Sequence, residues 1–294
     1  MDLSLSQEQL MIQDTARQFA QSELVANAAA LDQHQGRETF FANLNKLAHL
    51  GFMGLNVKAQ YGGTEAGVVA FSCAVTELAK GCASTAVTVS VTNMVAEVIQ
   101  AVGSDAQKNN YLGKICNGEY LAAGFCLTEG GAGSDPSAMR TRAVKKGDQW
   151  VLNGSKVFIT SAEYANLFIV WAVTDPDAPR GKGISCFLVE ANTPGLNIGK
   201  REEKMGQRGS ATNIVNFEDC IIPASALMGQ EGQGFKVAVG ELAGGRIGVG
   251  SLALGIGQAA MDYAKDYLGE REQFGKKIAQ FQGLQWMLAD RYTE

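Results

Sequence analysis

Thr128-Glu129-Gly130-Gly131-Ala132-Gly133-Ser134-Asp135 follows directly on the apolar stretch 121–127. A strand that ends in a hydroxyl and three closely spaced glycines brings bare backbone N–H groups and short side-chain donors to one point. That arrangement suits an anionic, planar ligand rich in hydrogen-bonding groups, such as a nucleotide. Taken alone, a glycine cluster after a strand is more often just a turn. A Rossmann loop is ruled out by context, because Pro136 stands where the helix would have to begin.

The same stretch marks a change in the chain around it. All five prolines (Pro136, Pro176, Pro179, Pro194 and Pro223) lie within residues 136–223. Because proline breaks interior helical hydrogen bonds, this predicts helical flanks around a non-helical middle. Upstream, Ser6 and Gln9 form a capping-box pattern before Ile12, Ala16 and Phe19, and Phe40, Leu44 and Leu47 repeat the spacing before Gly51. Ser104 and Gln107 form a second box, with Gly103 closing the helix before it. From Glu119 the runs are short and β-rich: 121–127, 150–152, 156–160, 168–173, 184–189 and 214–217. Turn signals at Gly147-Asp148, Asn153-Gly154 and Pro194-Gly195 connect antiparallel strands. After Gly232-Gln233-Gly234 the helical spacing returns at Phe235, Val239 and Leu242 and runs through Tyr263 and Tyr267. It breaks at Phe274-Gly275 and resumes with Phe281, Leu284 and Leu288. The expected fold is α+β: an all-α domain over 1–118, an antiparallel β-barrel or sandwich over 119–232, and the start of an α-helical bundle over 233–294.

A hydrophobic fraction of 46% with 19% charged residues is that of a soluble globular chain. Net charge −5, without a cluster of Lys and Arg, excludes a nucleic-acid binder. Cys73, Cys82, Cys116, Cys126, Cys186 and Cys220 form no metal or redox spacing and read as reduced, mostly buried thiols. The start Met1-Asp2-Leu3-Ser4-Leu5 lacks a secretory pattern. Residues 247–260 fall short of a membrane span, and their glycines read as close helix packing. A cytoplasmic location is expected, or the mitochondrial matrix for a processed eukaryotic chain. His34 and His49 have no ligand or nucleophile spacing, and no metal site is expected.

The order of domains and four motifs along the whole chain resemble the acyl-CoA dehydrogenase family. The motifs are Leu127-Thr128-Glu129 with Gly133-Ser134-Asp135; Asn153-Gly154-Ser155-Lys156-Val157-Phe158-Ile159-Thr160; Met205-Gly206-Gln207-Arg208; and Arg271-Glu272-Gln273-Phe274-Gly275-Lys276 with Phe281-Gln282. The resemblance implies FAD as cofactor, with Phe125, Leu127 and Thr128 lining the flavin ring. Gly133 and Ser134 would meet cofactor phosphate or acyl-CoA, and Phe158, Ile159 and Thr160 would cover the other side. Phe158 stands where many relatives have tryptophan, which keeps the stacking surface and loses an indole N–H. Arg271, Gln273, Phe274 and Gln282 are similar to residues that reach the FAD of a neighbouring subunit, so a homo-oligomer, a tetramer in the family, is implied. Ser134, Gly244, Gly245 and Arg246 match positions near bound acyl-CoA, although Ala243 replaces an aspartate of many relatives.

The implied reaction is α,β-dehydrogenation of an acyl-CoA to a trans-2-enoyl-CoA, a step of fatty acid β-oxidation, with electrons passed to an electron-transfer flavoprotein. The short-chain branch is the nearest match. The catalytic glutamate of most relatives falls beyond Glu294, and the alternate position is Gly245, so no catalytic base is identified in residues 1–294. Glu241 lies one helical turn before Gly245 and is not assigned. Two other readings stay open: an acyl-CoA oxidase using oxygen, and a non-catalytic truncated homologue that binds acyl-CoA or partner subunits.

Overall fold

The computed structural model describes residues 4–294; Met1-Asp2-Leu3, part of the start read above as lacking a secretory pattern, lie outside the described residues. Among the described residues six α-helices come first: α1 (Gln7–Phe19), α2 (Val25–Asp32), α3 (Arg37–His49), α4 (Gly67–Gly81), α5 (Ala83–Val102) and α6 (Asp105–Cys116). Eight strands follow: β1 (Ala123–Cys126), β2 (Arg142–Lys146), β3 (Gln149–Thr160), β4 (Leu167–Val173), β5 (Ile184–Glu190), β6 (Leu196–Arg201), β7 (Thr212–Pro223) and β8 (Leu227–Met228). Helix α7 (Gly234–Glu270), a hairpin of β9 (Glu272–Gln273) and β10 (Lys276–Lys277), and α8 (Gln282–Thr293) complete it.

Both capping boxes form. Ser6 Oγ accepts from the Gln9 amide at 3.2 Å while Gln9 Oε1 accepts from the Ser6 amide at 2.9 Å. Ser104 and Gln107 repeat the exchange at 3.2 and 2.8 Å. Each box satisfies two N–H groups that a helix start leaves without partners. Gly103 does end α5, in an extended conformation; a Cβ there would come 2.5 Å from the Ile99 carbonyl oxygen.

The strands form one sheet in the order β6-β7-β3-β2-β4-β5-β8, with β1 added beside β4. Most neighbours are antiparallel, as expected, but β1 and β2 each run parallel to β4. The expected turn at Asn153-Gly154 is absent: β3 continues through it, and the register against β7 shifts between Leu152 and Gly154. Gly154 sits in this bulge at φ +147, and a Cβ there would meet Thr141 Oγ1 at 2.5 Å. A glycine-bearing bulge and a glycine-bearing turn thus share one local signal.

Strand β4 is buried on both faces, which explains its unbroken apolar run. Leu167, Ile169 and Trp171 face α5, α6 and the start of α7, while Phe168, Val170 and Ala172 face Leu152, Phe187 and Phe217 inside the sheet domain. Trp171 Nε1 donates to the Gly234 carbonyl at 2.8 Å, which fixes where α7 begins.

Helices α5 and α7 are each long and apolar enough to cross a membrane by length and composition. Reading residues 247–260 alone missed that length in α7. Helix α5 is mostly buried in the fold. Helix α7 packs on α4 and α5 through small residues: a Cβ at Gly248 would come 2.3 Å from Ser90 Oγ, and one at Gly255 would come 2.3 Å from the Thr76 carbonyl oxygen. The packing expected of these glycines is therefore present, although Gly257 faces open space.

Candidate functional site

The first two motifs meet at the end of β1. Val157 N donates to the Thr128 carbonyl at 2.9 Å. Lys156, fully buried, donates through Nζ to the Leu127 carbonyl at 3.0 Å and to Glu129 Oε1 at 2.8 Å. Glu129 in turn accepts from the Arg140 amide at 2.6 Å and the Thr141 amide at 3.0 Å. Burial pushes the Glu129 carboxyl up, and the Lys156 ammonium with these donors more than offsets it, so the group is held below its ordinary value. Burial lowers Lys156, and Glu129 opposes that shift.

Immediately after Lys156 the register between β3 and β7 shifts again, and Phe158 takes φ +59 with its side chain 63% exposed. A bulky residue in the left-handed region is strained by about 1–3 kcal/mol, and such strain concentrates at functional sites. Ile159 is buried and Thr160 half-buried. Across the junction, Phe125 packs on Trp171 with ring centroids 4.3 Å apart, Leu127 is buried and Thr128 half-buried. The structure therefore brings Leu127 and Thr128 beside Val157, the residue before Phe158.

The loop beyond Thr128 is closed by mutual backbone bonds between Glu129 and Ala132 at 3.2 and 3.0 Å. Gly130, Gly131 and Gly133 have no left-handed φ, and a Cβ on any of them would meet nothing within 4 Å among the described residues. Neither backbone conformation nor packing among the described residues requires glycine at these positions. A bare amide surface on open space fits the phosphate- and amide-bearing FAD that the resemblance implies. Ser134 is exposed beside it, and Asp135 pairs with Arg180.

Gly244 and Gly245 lie in α7, in a small crevice lined by Asn56, Phe71, Ser90, Met94, Glu97 and Glu241. As glycine, Gly245, the alternate base position, brings no carboxylate, and a Cβ there would come 2.9 Å from Met94 Sδ. Arg246 is exposed. Glu97 accepts from Asn56 Nδ2 at 2.8 Å, and Glu241 Oε1 is buried without a hydrogen-bond partner among the described residues. Burial, then the Glu97 charge, pushes the Glu241 carboxyl up to about 8. Two carboxyls in one crevice do not ionise together easily, so Glu241 holds a proton at neutral pH.

The fourth motif stands apart. Phe274 and Gly275, at φ +54 and +73, form the tip of the β9–β10 hairpin, and Phe274 is 92% exposed. Arg271, Gln273 and Gln282 are exposed as well. Helix α7 separates them from the sheet domain: 37 residues rising 1.5 Å each span roughly 55 Å. The third motif joins two domains, since the Arg208 amide donates to Asp32 Oδ1 at 2.9 Å.

Sequence reasoning gave no role to Lys156, Glu129 or Glu97, and left Glu241 unassigned. Lys156 and Glu129 stood inside quoted motifs, which was the available signal. Among the described residues no three His, Cys, Asp or Glu are grouped to hold a metal ion. The six cysteines are free, five of them buried.

The chain matches family models for the acyl-CoA dehydrogenase N-terminal domain over residues 6–119, the middle domain over 124–220 and the C-terminal domain over 232–294. The short-chain specific acyl-CoA dehydrogenase of Clostridium acetobutylicum is 41% identical over 292 residues, covering 99% of this chain and 76% of that protein. Acryloyl-CoA reductase (NADH) of Anaerotignum propionicum is 42% identical over 298 residues, covering 100% and 74%. The structure of butyryl-CoA dehydrogenase from Megasphaera elsdenii matches with a TM-score of 0.94 at 38% identity, covering 100% of this chain and 77% of that one. With three domain models matched in order and likeness extending over nearly every residue, the chain belongs to the acyl-CoA dehydrogenase family, whose members are FAD-dependent oxidoreductases.

Proposed function

We propose that this protein dehydrogenates an acyl-CoA thioester between its α and β carbons, giving a trans-2-enoyl-CoA, and passes the electrons to an electron-transfer flavoprotein. The observation that carries this reading is the junction of the first two motifs, where Val157 and Lys156 hold residues 127–129 beside an open glycine loop. FAD, when bound, supplies the hydride acceptor and the electron relay.

Within that reading, Phe125, Leu127 and Thr128 form one wall of the flavin slot, and the Thr128 hydroxyl donates a hydrogen bond to the ring. Such a donor favours the reduced, more negative flavin. Phe158, Ile159 and Thr160 form the other wall and exclude water. Gly133 and Ser134 donate to cofactor phosphate or to acyl-CoA. Gly244, Gly245 and Arg246 border the substrate, where fixed donors on the thioester carbonyl acidify the α proton. Gly245 brings no acceptor for that proton, so the base is assigned to the family region C-terminal to residue 294.

Arg271, Gln273, Phe274 and Gln282 complete the flavin site of a neighbouring subunit in a homotetramer. The Arg271 guanidinium offers a planar fork suited to a pyrophosphate. The domain limits are 1–118, 119–232 and 233–294, and the enzyme works in the cytoplasm or, for a eukaryotic chain, the mitochondrial matrix.

The test is spectroscopic. Protein purified from riboflavin-replete cells is expected to show flavin absorbance that a short-chain saturated acyl-CoA bleaches anaerobically in the full-length enzyme, with turnover restored by an electron-transfer flavoprotein. Hydrogen peroxide without an added carrier identifies an oxidase instead. A colourless protein that fails to take up FAD overturns the proposal.

A further inference from the structure

The ion pair between Lys156 and Glu129 joins two motifs below the proposed flavin slot. Lys156 is fully buried, and its ammonium reaches the Leu127 carbonyl at 3.0 Å, Glu129 Oε1 at 2.8 Å and Met139 Sδ at 3.8 Å. Glu129 passes the connection on to the amides of Arg140 and Thr141. Three successive residues on one side, 127–129, are thus tied to 156 and 157 on the other, the Thr128 carbonyl being taken by the Val157 amide. The anchor sits directly before the register shift at which Phe158 adopts its strained conformation.

Stability alone does not account for this pair. Desolvating two charges offsets most of their attraction, and well-packed apolar residues of similar volume commonly do as well. The pair differs from an apolar plug in its direction, since each charge is satisfied by backbone groups of segments that border the glycine loop. Its fixed geometry sets where those segments stand.

We propose that Lys156 and Glu129 are positioning residues for the flavin, holding the Leu127–Thr128 wall and the Phe158-Ile159-Thr160 wall at one fixed spacing. The proposal rests on the assignment of these walls to FAD. Neither residue touches the cofactor in this scheme; both act through the backbone of residues that do.

The experiment compares Lys156→Met, Glu129→Gln and the paired change Lys156→Met with Glu129→Met, using Leu47→Ala in the helical core as a control for lost stability. The readouts are FAD affinity of the apoprotein, the resolved visible spectrum, the flavin midpoint potential and the melting temperature. Lys156→Met is expected to weaken FAD binding about tenfold or more, a cost of about 1.4 kcal/mol, and to alter spectrum and potential. Glu129→Gln moves them the same way by a smaller factor. The paired change leaves no uncompensated charge, so melting temperature recovers while FAD affinity and spectrum do not. The control loses stability yet keeps wild-type FAD parameters.

Recovery of FAD affinity together with melting temperature in the paired variant overturns the proposal. So does wild-type affinity, spectrum and potential in the folded single variants. If wild-type protein itself binds no FAD, the assignment of the walls fails before the ion pair is tested.

Discussion

The sheet-domain wall and the C-terminal hairpin carry motifs of the same family, yet they reach their positions by opposite means. Residues 127–129 and 156–159 are locked by a buried ion pair, backbone bonds and the apolar interior around Trp171. Arg271, Gln273, Phe274 and Gln282 are exposed around a short hairpin and α8, where Phe274 meets Phe281 edge-on with ring centroids 6.2 Å apart. One half of the proposed site is built by the chain's own core. The other half lies exposed, and α7 holds it far from the first.

Breaking the core should therefore cost far more than trimming the hairpin. Trp171→Ala removes a fully buried ring and its bond to the Gly234 carbonyl; about 3–5 kcal/mol of unfolding free energy should be lost in urea titration. Gly133→Val separates folding from binding. A Cβ there meets nothing within 4 Å among the described residues, so thermal stability should hold within about 0.5 kcal/mol, while FAD affinity falls about tenfold, close to 1.4 kcal/mol.

Glu241 sharpens the contrast through pH. Its carboxyl is raised from 4.5 to about 8 in the native state, so the native protein keeps a proton that the unfolded chain releases. Stability should fall as pH rises between those values, and Glu241→Gln should flatten that limb in melting curves taken from pH 5 to 9. The smallest effect is expected at the hairpin tip: Phe274→Ala should shift the unfolding free energy by less than about 0.5 kcal/mol and weaken FAD retention only in the assembled oligomer.

The sequence was most legible where structure is local. Ser6 with Gln9 and Ser104 with Gln107 announce helix starts because the whole device spans four residues, and the proline distribution separates the three regions. The single strand β3 was not legible, since Asn153-Gly154 serves a bulge with the letters of a turn. The burial of Lys156 was hidden for another reason: lysine is almost never buried unless paired, and its partner Glu129 comes from a different motif. The crevice of Glu97 and Glu241 depends on α5 crossing α7, a long-range contact that no short spacing encodes. The likeness of four motifs to a known family supplied what periodicity could not, namely which exposed residues to propose for the site.

The length of α7 has a genetic consequence. Because the wall at Gly133 and the tip at Phe274 sit at opposite ends of that helix, a complete flavin slot under the proposed assembly draws each half from a different copy. A chain carrying Gly133→Val and a chain carrying Phe274→Ala, each weaker than wild type at retaining flavin when expressed alone, should together regain yellow colour when co-expressed. Their mixed particles contain pockets in which both contributed halves are intact.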